Sequence, residues 1–164
     1  MRQNLILASF NKNIKYFLKI SKNMEITWKE LFKQKTCPLL TVDMIIRYKG
    51  GIVLIDRKVE PFGWAIPGGF VNFDETVEQA AIREAKEETN LNIRIIKQFH
   101  VYSDPKRDPR DTHSITIVFI AEGKGELKAD DDAKDAKVFS LDKPFPKMPF
   151  DHNKIIQDYL NDEY

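Results

Sequence analysis

Three glutamates lie close together in one short stretch of the sequence, Glu84, Glu87 and Glu88. The residues around them are strong helix formers, and we predict a helix over residues 76–89. With a rotation of about 100° per residue, the three side chains fall on one side of that helix. Clustered carboxylate oxygens are the ligands that hard divalent cations favour. The spacing therefore indicates a metal site.

The same side of the predicted helix carries its apolar residues, because Val77, Ala80 and Ala81 lie on or near that stripe. A solvated acidic surface is the simpler explanation of three glutamates, but here the carboxylates continue the packed side instead of opposing it. Carboxylates brought together at a partly buried site repel each other and lose hydration unless a cation compensates. We expect Mg²⁺, or alternatively Mn²⁺, since no cysteine or histidine pair lies nearby to favour Zn²⁺.

Neighbouring residues supply other parts of such a site. Arg83 can pair with a glutamate, of which Glu75 is one option, and so hold it in orientation. Pro67-Gly68-Gly69 offers a backbone that can approach phosphate or metal closely, with the carbonyl oxygen of Gly69 as a ligand. Asn90 stands where the helix must end, in the position that often takes a left-handed conformation.

These residues stand in the spacing of a known motif. The chain resembles the Nudix signature, Gly-x5-Glu-x7-Arg-Glu-U-x-Glu-Glu-x-Gly-U, in which U is an aliphatic residue. The sequence departs from it at Asn90, where the family has glycine, and mildly at Ala85, and neither departure removes a charge. The matching positions are Gly69, Glu75, Arg83, Glu84, Glu87, Glu88 and Leu91.

The resemblance, which extends over about residues 38–160, implies a Mg²⁺-dependent hydrolase that cleaves a pyrophosphate bond in a nucleoside diphosphate derivative. It implies that metal ions bridge the pyrophosphate oxygens, neutralise developing charge and activate the attacking water. The metal ligands implied for this chain are Glu84, Glu87, Glu88 and the carbonyl oxygen of Gly69.

The general base is less closely defined by the family. In some relatives it is a glutamate of the motif, which here would be Glu84 or Glu87, with Arg83 beside them in the catalytic group. In others it is an acid on a late loop, for which the candidates here are Asp131 and Asp132. That run of aspartates is equally well explained as a solvated turn.

A second stretch of sequence bears on the substrate. Residues 102–110 read Tyr-Ser-Asp-Pro-Lys-Arg-Asp-Pro-Arg, and with residues 41–43 and 63–71 they resemble the compact ADP-ribose pyrophosphatases of bacteria and archaea. In that group a loop with the Arg-Asp-Pro-Arg sequence lies near the substrate. The resemblance makes Arg107 and Arg110 candidates to pair with phosphate or with a ribose-phosphate oxygen.

Three aromatic residues, Phe62, Trp64 and Tyr102, are candidates to stack on adenine, although each is as readily explained by packing. The leading interpretation is cleavage of ADP-ribose to AMP and ribose 5-phosphate. One alternative is another Nudix substrate, such as an oxidised nucleoside triphosphate, a dinucleoside polyphosphate or another sugar nucleotide. A second is a regulator that senses a nucleotide without cleaving it.

The remaining pattern predicts an α/β (α+β) fold, in which a mixed β-sheet lies between helices in an α/β/α sandwich. We expect a turn at Lys49-Gly50-Gly51, and Asp151 is the expected cap of a last helix over residues 152–160. The predicted strands are residues 39–48, 52–57, 64–66, 93–102, 114–122 and 137–141.

Composition and charge indicate the domain organisation, the partners and the compartment of the protein. Residues 1–35 carry eight lysines and arginines against two acids, so we predict a basic accessory segment before a Nudix domain over residues 36–164. The net charge of +1 gives no overall field that favours a nucleic-acid or membrane partner, and no apolar run is long enough to span a membrane. The single cysteine, Cys37, is expected to be at least half-buried and is typical of a cytoplasmic protein. Relatives of this type suggest a homodimer.

Overall fold

The computed structural model describes residues 37–129 and 133–163. The basic segment of residues 1–35 and the loop candidates Asp131 and Asp132 lie outside the described residues, so what we expect of them stays a prediction. The elements are β1 (Leu39–Tyr48), β2 (Gly51–Arg57), β3 (Trp64–Ala65), β4 (Gly68–Phe70), α1 (Val77–Thr89), β5 (Asn92–Tyr102), β6 (Ser114–Lys124), β7 (Ala133–Ser140) and α2 (His152–Leu160).

Strand β1 organises the sheet. It runs parallel to β6 from Leu39 to Arg47. Its other edge is shared between two antiparallel partners, with β4 beside residues 41–43 and β2 beside residues 47–48. Strand β2 also pairs with β3 and β7, and β5 pairs with β6. The sheet is therefore mixed, and the positive φ angles of Lys49 and Gly50 make the tight turn expected between β1 and β2.

Both faces of the sheet are covered, because side chains along β1 alternate between them. The α1 face buries Val42, Met44, Ile46, Tyr48, Val53, Ala80, Ala81, Ala85, Leu91 and Phe119. The α2 face buries Ile45, Ile52, Leu54, Ile66, Phe99, Tyr102, Val118, Ile120, Met148, Ile155 and Ile156. The expected α/β/α sandwich is confirmed, and within the described residues no helix is long and apolar enough to cross a membrane.

Helix α1, which carries the glutamates, has defined ends. The Thr76 hydroxyl accepts a hydrogen bond from the Gln79 backbone N–H at 3.2 Å, and the Gln79 side chain accepts one from the Thr76 N–H at 2.8 Å. This reciprocal pair satisfies two backbone donors that the helix leaves free. At the other end Asn90 is left-handed, with φ 57°, and its N–H donates to the carbonyl of Lys86, as predicted.

Several local predictions need correction. Gly68–Phe70 is strand β4, which was not among the predicted strands; its backbone pairs with β1, and its two glycines supply no side-chain pattern to read. Strand β7 begins at Ala133 instead of residue 137, since it pairs with β2 down to Arg57. Asp151 is the N-cap residue before α2, but its side chain makes no capping hydrogen bond. Cys37 is exposed.

The Thr76 cap generates the first prediction. Thr76→Ala should lower the free energy of unfolding by about 1 kcal/mol, because the Gln79 N–H loses its acceptor. Thr76→Ser keeps the hydroxyl and is the matched control. Denaturant unfolding of both variants, followed by circular dichroism in metal-free buffer, measures the difference. Equal stability of the alanine variant and the wild type would show that this cap contributes nothing.

Candidate active site

The second half of α1 faces the two glycines of β4. Glu88 is only 6% exposed, and its carboxylate accepts a hydrogen bond from the Gly68 N–H at 2.9 Å. A side chain at Gly69 would collide with the Glu84 carboxylate, and one at Gly68 would collide with the carbonyl of Val42. Neither glycine therefore leaves room for a Cβ, and carboxylates lie directly against backbone at this point.

Arg83 connects the loop before α1 to the glutamates on it. Its Nε and Nη2 donate to the two carboxylate oxygens of Glu75 at 3.1 and 2.6 Å. Its Nη1 donates to Glu84 at 2.7 Å and to Glu87 at 3.0 Å, and Nη2 also donates to the carbonyl of Phe70. The expected pairing of Arg83 with Glu75 is thus observed, and one guanidinium orients three carboxylates.

Burial sets the electrostatics of the cluster. It raises the pKa of Glu88 to about 8, against the opposing effect of the Gly68 N–H. It also raises the pKa of Glu84, although hydrogen bonding to Arg83 acts in the other direction. The Glu87 side chain is 41% exposed and lies at the rim. Two of the three carboxylates therefore face inward, and the third borders solvent.

The carboxylates are engaged by protein donors as they stand. Within residues 37–129 and 133–163, no group of three or more histidine, cysteine, aspartate or glutamate side chains is spaced to hold a metal ion. Arg83 holds Glu84 and Glu87, and Gly68 holds Glu88. A cation bound here would compete with Arg83 for the same oxygens.

Arg107 is not open to a substrate, contrary to our expectation. Its guanidinium donates to both carboxylate oxygens of Asp151 at 3.0 and 2.8 Å and to the Ser114 hydroxyl at 3.0 Å. It also lies 3.5 Å from Asp43, and its side chain is only 4% exposed. Burial alone would lower the pKa of Arg107, but hydrogen bonding to Asp151 and the charge of Asp43 raise it. Arg107 fastens its loop to β6, β1 and α2.

Arg110, from the same loop, does reach the surface. Its Nε and Nη2 donate to the two carboxylate oxygens of Asp108 at 2.9 and 2.6 Å. The Asp108 side chain is 1% exposed and that of Arg110 is 39% exposed. Because Asp108 fixes one edge of the guanidinium, Arg110 is presented in a defined orientation beside the ring of Phe150, 5.3 Å from its centroid.

The three aromatic candidates for stacking on adenine differ in how accessible their rings are. Tyr102 is a core residue, 6% exposed, and its hydroxyl donates to Asp158 at 2.8 Å, so it has no free face for a base. Trp64 packs edge-on against Phe139 with ring centroids 5.0 Å apart. Phe62 is 57% exposed and lies beneath the ammonium group of Lys134. Of the three, Phe62 has the accessible ring.

Arg57, at the end of β2, is a residue that the sequence analysis missed. Its Nε donates to the carbonyl of Pro61 at 2.9 Å. Burial lowers the pKa of Arg57, the nearby charge of Arg110 lowers it further, and the charge of Glu88 opposes both. Arg57 therefore lies in the electrostatic field of the glutamate cluster and of the loop that carries Arg110.

His152 was missed as well. It is buried, and its Nδ1 accepts a hydrogen bond from the Ile66 N–H at 3.3 Å, while its Nε2 lies 3.7 Å from Asp43. Burial lowers the pKa of His152 and favours the neutral ring. The available signal was Asp43, an acid within an otherwise apolar stretch of β1, which predicts a buried polar partner.

Known sequences resemble this chain over most of its length. The NUDIX domain model matches residues 38–159. The ADP-ribose pyrophosphatase of Methanocaldococcus jannaschii is 48% identical over 149 residues, which cover 89% of this chain and 85% of that protein. The ADPR responsive transcriptional repressor NtrR of Acinetobacter baylyi is 36% identical over 92 residues, 51% of this chain and 36% of the repressor.

Solved structures share the fold. The bifunctional NMN adenylyltransferase/ADP ribose pyrophosphatase of Francisella tularensis, complexed with AMP and Mn ion, has a TM-score of 0.69 and 29% identity. That match covers 92% of this chain but only 45% of the bifunctional protein. The NUDIX domain of Shewanella oneidensis NrtR, complexed with ADP ribose, has a TM-score of 0.66 and 25% identity over 85% of this chain. From its motif, its fold and these matches, the chain belongs to the Nudix family.

Proposed function

We propose that the chain is a metal-dependent pyrophosphohydrolase that cleaves ADP-ribose to AMP and ribose 5-phosphate. The observation that carries the proposal is the inward-facing pair of Glu84 and Glu88, packed against the backbone of Gly68 and Gly69. The similarity to an archaeal protein named ADP-ribose pyrophosphatase over most of both chains supports the substrate.

The residue types fit a hard divalent cation, although Glu84 and Glu87 would have to exchange their hydrogen bonds with Arg83 for it. Glu88 is a buried carboxylate whose pKa is raised to about 8, and it lies in the same cluster as Glu84, whose pKa is also raised. Nearby cationic charge would relieve both effects. The donors are oxygens, which suit Mg²⁺ or Mn²⁺. We propose Mg²⁺, with Mn²⁺ as the alternative, held by Glu84, Glu87, Glu88 and the Gly69 carbonyl.

When bound, the metal would supply neutralisation of the diphosphate charge and a lowered pKa for a water ligand. The protein supplies orientation and a proton acceptor. Arg83 holds Glu84 and Glu87 together and, through Glu75, anchors them to the loop before α1. We propose Glu84 or Glu87 as the base that takes the proton of the attacking water, with Arg83 setting their geometry. Asp131 and Asp132 stay predictions.

Arg110 and Phe62 are the substrate contacts that we retain. With Nε and Nη2 engaged by Asp108, the Nη1 of Arg110 donates to no described residue and is available to a phosphate or ribose oxygen. The exposed ring of Phe62 offers a stacking surface for adenine. We withdraw three candidates. Arg107 is held in a buried ion-pair network, Tyr102 is a core residue bound to Asp158, and Trp64 packs edge-on against Phe139.

A second candidate function is recognition of ADP-ribose without cleavage. Two similar proteins favour it as an alternative: one is named an ADPR responsive repressor, and the other was crystallised with ADP ribose. Glu84, Glu87 and Glu88 are nevertheless all present in this chain, and a regulator that does not cleave has no need to keep the full set.

We also propose that the protein is cytoplasmic and forms a homodimer, as its single cysteine and its family suggest. Gel filtration with light scattering on the full chain would test the dimer. A monomeric mass across a range of concentrations would contradict it.

Turnover tests the activity. With Mg²⁺ and ADP-ribose, the wild type should release AMP and ribose 5-phosphate, measured by chromatography. Glu84→Gln and Glu87→Gln should each lower kcat by about a hundredfold or more, because each loses a charge that acts at the reacting phosphate. Glu78→Gln, on the exposed first turn of α1, is the matched control. Tight ADP-ribose binding without cleavage by the wild type would favour the sensor instead.

The buried Glu88 generates a pH prediction. Its folded pKa of about 8 exceeds that of an unfolded glutamate, about 4.3. The folded protein therefore holds a proton that the unfolded chain releases, and stability should fall as pH rises through this window. In metal-free buffer, the melting temperature of Glu88→Gln should exceed that of the wild type increasingly towards pH 8. Parallel curves for the two proteins would contradict the assignment, and Glu78→Gln serves as control.

A further inference from the structure

Residues 66–69, which we call the glycine segment, carry the carbonyl that we propose as a metal ligand. Two hydrogen bonds attach this segment to β1 and to α1. The Pro67 carbonyl accepts a hydrogen bond from the Met44 N–H at 2.8 Å. The Gly68 N–H donates to the Glu88 carboxylate at 2.9 Å. Both bonds lie beyond the first residue of the segment, so the entry of the chain into it depends on a third contact.

The third contact comes from α2, on the opposite face of the sheet. His152 is buried, and its Nδ1 accepts a hydrogen bond from the Ile66 N–H at 3.3 Å. Burial lowers the pKa of His152 and favours the neutral ring. Because Nδ1 is the acceptor, the neutral ring carries its proton on Nε2, which lies 3.7 Å from the Asp43 carboxylate. The imidazole therefore lies between the glycine segment and an acid.

Asp43 also contacts the glycine segment itself. A Cβ at Gly68 would collide with the Asp43 carboxylate, so this carboxylate packs directly against the backbone. The counterion of Asp43 is Arg107, 3.5 Å away. Arg107 in turn donates to both carboxylate oxygens of Asp151, the residue before His152. These contacts fix the imidazole both through its own backbone and through the acid that it faces.

Stability alone does not explain this network. The side chains of Asp43 and Arg107 are 10% and 4% exposed and that of His152 is buried, so three polar side chains have lost their hydration. Replacing buried ionic groups by apolar groups of similar volume is often neutral or stabilising. Apolar residues such as Ile45 and Ile155 do fill the rest of this face. What a satisfied polar network adds is one fixed arrangement of the groups that it contacts.

We propose that His152, backed by Asp43, is a positioning residue that holds the glycine segment in the arrangement that the metal site needs. It acts through the Ile66 N–H, from the face of the sheet opposite the glutamates. The metal-binding role of the Gly69 carbonyl rests on the proposed function, whereas the hold on the segment does not. Groups that orient a metal ligand typically change metal affinity by about 10- to 100-fold when they are removed.

Hydrogen exchange of the Gly68 amide, followed by NMR in EDTA, tests the hold without metal. His152→Leu keeps an apolar volume but removes the acceptor of the Ile66 N–H. The protection of the Gly68 amide should fall by about tenfold or more, because the segment loses the energy of one buried hydrogen bond. His152→Asn should restore most of it, since its side-chain oxygen can lie where Nδ1 lies.

Tyr102→Phe is the matched control. It also removes one buried hydrogen bond on the α2 face, from the Tyr102 hydroxyl to Asp158, but that bond does not contact the glycine segment. Both variants should lower the melting temperature. Once the change in global stability is subtracted, only His152→Leu should lower the protection of the Gly68 amide. This comparison separates a local hold on the segment from a general loss of stability.

Mn²⁺ affinity, measured by calorimetry without substrate, connects the hold to the metal site. His152→Leu should bind Mn²⁺ about tenfold more weakly than the wild type. His152→Asn and Tyr102→Phe should both bind it within about twofold of the wild type, because each keeps the acceptor for the Ile66 N–H. Turnover of ADP-ribose should rank the four proteins in the same order.

Three results would overturn the proposal. The first is wild-type protection of the Gly68 amide in His152→Leu, and the second is an equal loss of protection in Tyr102→Phe. The third is a His152→Leu protein that loses protection but keeps the Mn²⁺ affinity of the wild type. A wild type that binds no Mn²⁺ and cleaves no ADP-ribose would remove the proposed function instead, and the exchange measurement would still decide whether His152 holds the segment.

Discussion

The packing of two carboxylates, one buried and one half-buried, against a backbone without side chains is the constraint on which the rest of the structure depends. The Glu84 carboxylate occupies the space that a Cβ of Gly69 would need. The Glu88 carboxylate accepts a hydrogen bond from the Gly68 N–H. Carboxylates in such positions are expensive when charged. The raised pKa of Glu88, to about 8, is the expression of that cost in the protein alone. A cation is the group that would relieve it.

Arg83 and Arg107 neutralise two different groups of carboxylates. Arg83 balances the glutamates on the α1 face of the sheet, and Arg107 balances Asp43 and Asp151 on the other face. The two networks meet at Gly68, whose N–H donates to Glu88 and which pairs with Asp43 across β4 and β1. Strand β4 is thereby held between two ionic networks, which explains why so short a strand is well positioned.

Much of the fold could be predicted from the sequence, because its signals are local. The β-rich composition of residues 39–48 and the glycines after it defined β1, helix spacing defined the side of α1 that carries Glu84 and Glu88, and Asn90 marked the end of α1. Strand β4 could not be predicted, since its partner is 27 residues earlier at Val42 and its own glycines carry no pattern. The buried position of Tyr102 could not be predicted either, because its hydroxyl donates to Asp158, which lies 56 residues later in the chain.

The Arg-Asp-Pro-Arg loop shows why a motif transfers residue types more readily than their roles. Arg107 and Arg110 have the same chemistry and lie three residues apart, and sequence alone treats them as equals. Their difference arises from a partner 44 residues away, because Asp151 draws Arg107 into the interior. With Arg107 buried, the loop is fixed at its base, and Asp108 can hold Arg110 towards the surface beside Phe150. The buried Arg107 thus fixes the loop that presents Arg110 at the surface. Only the tertiary structure distinguishes these two roles, because the partners of Arg107 are distant in sequence.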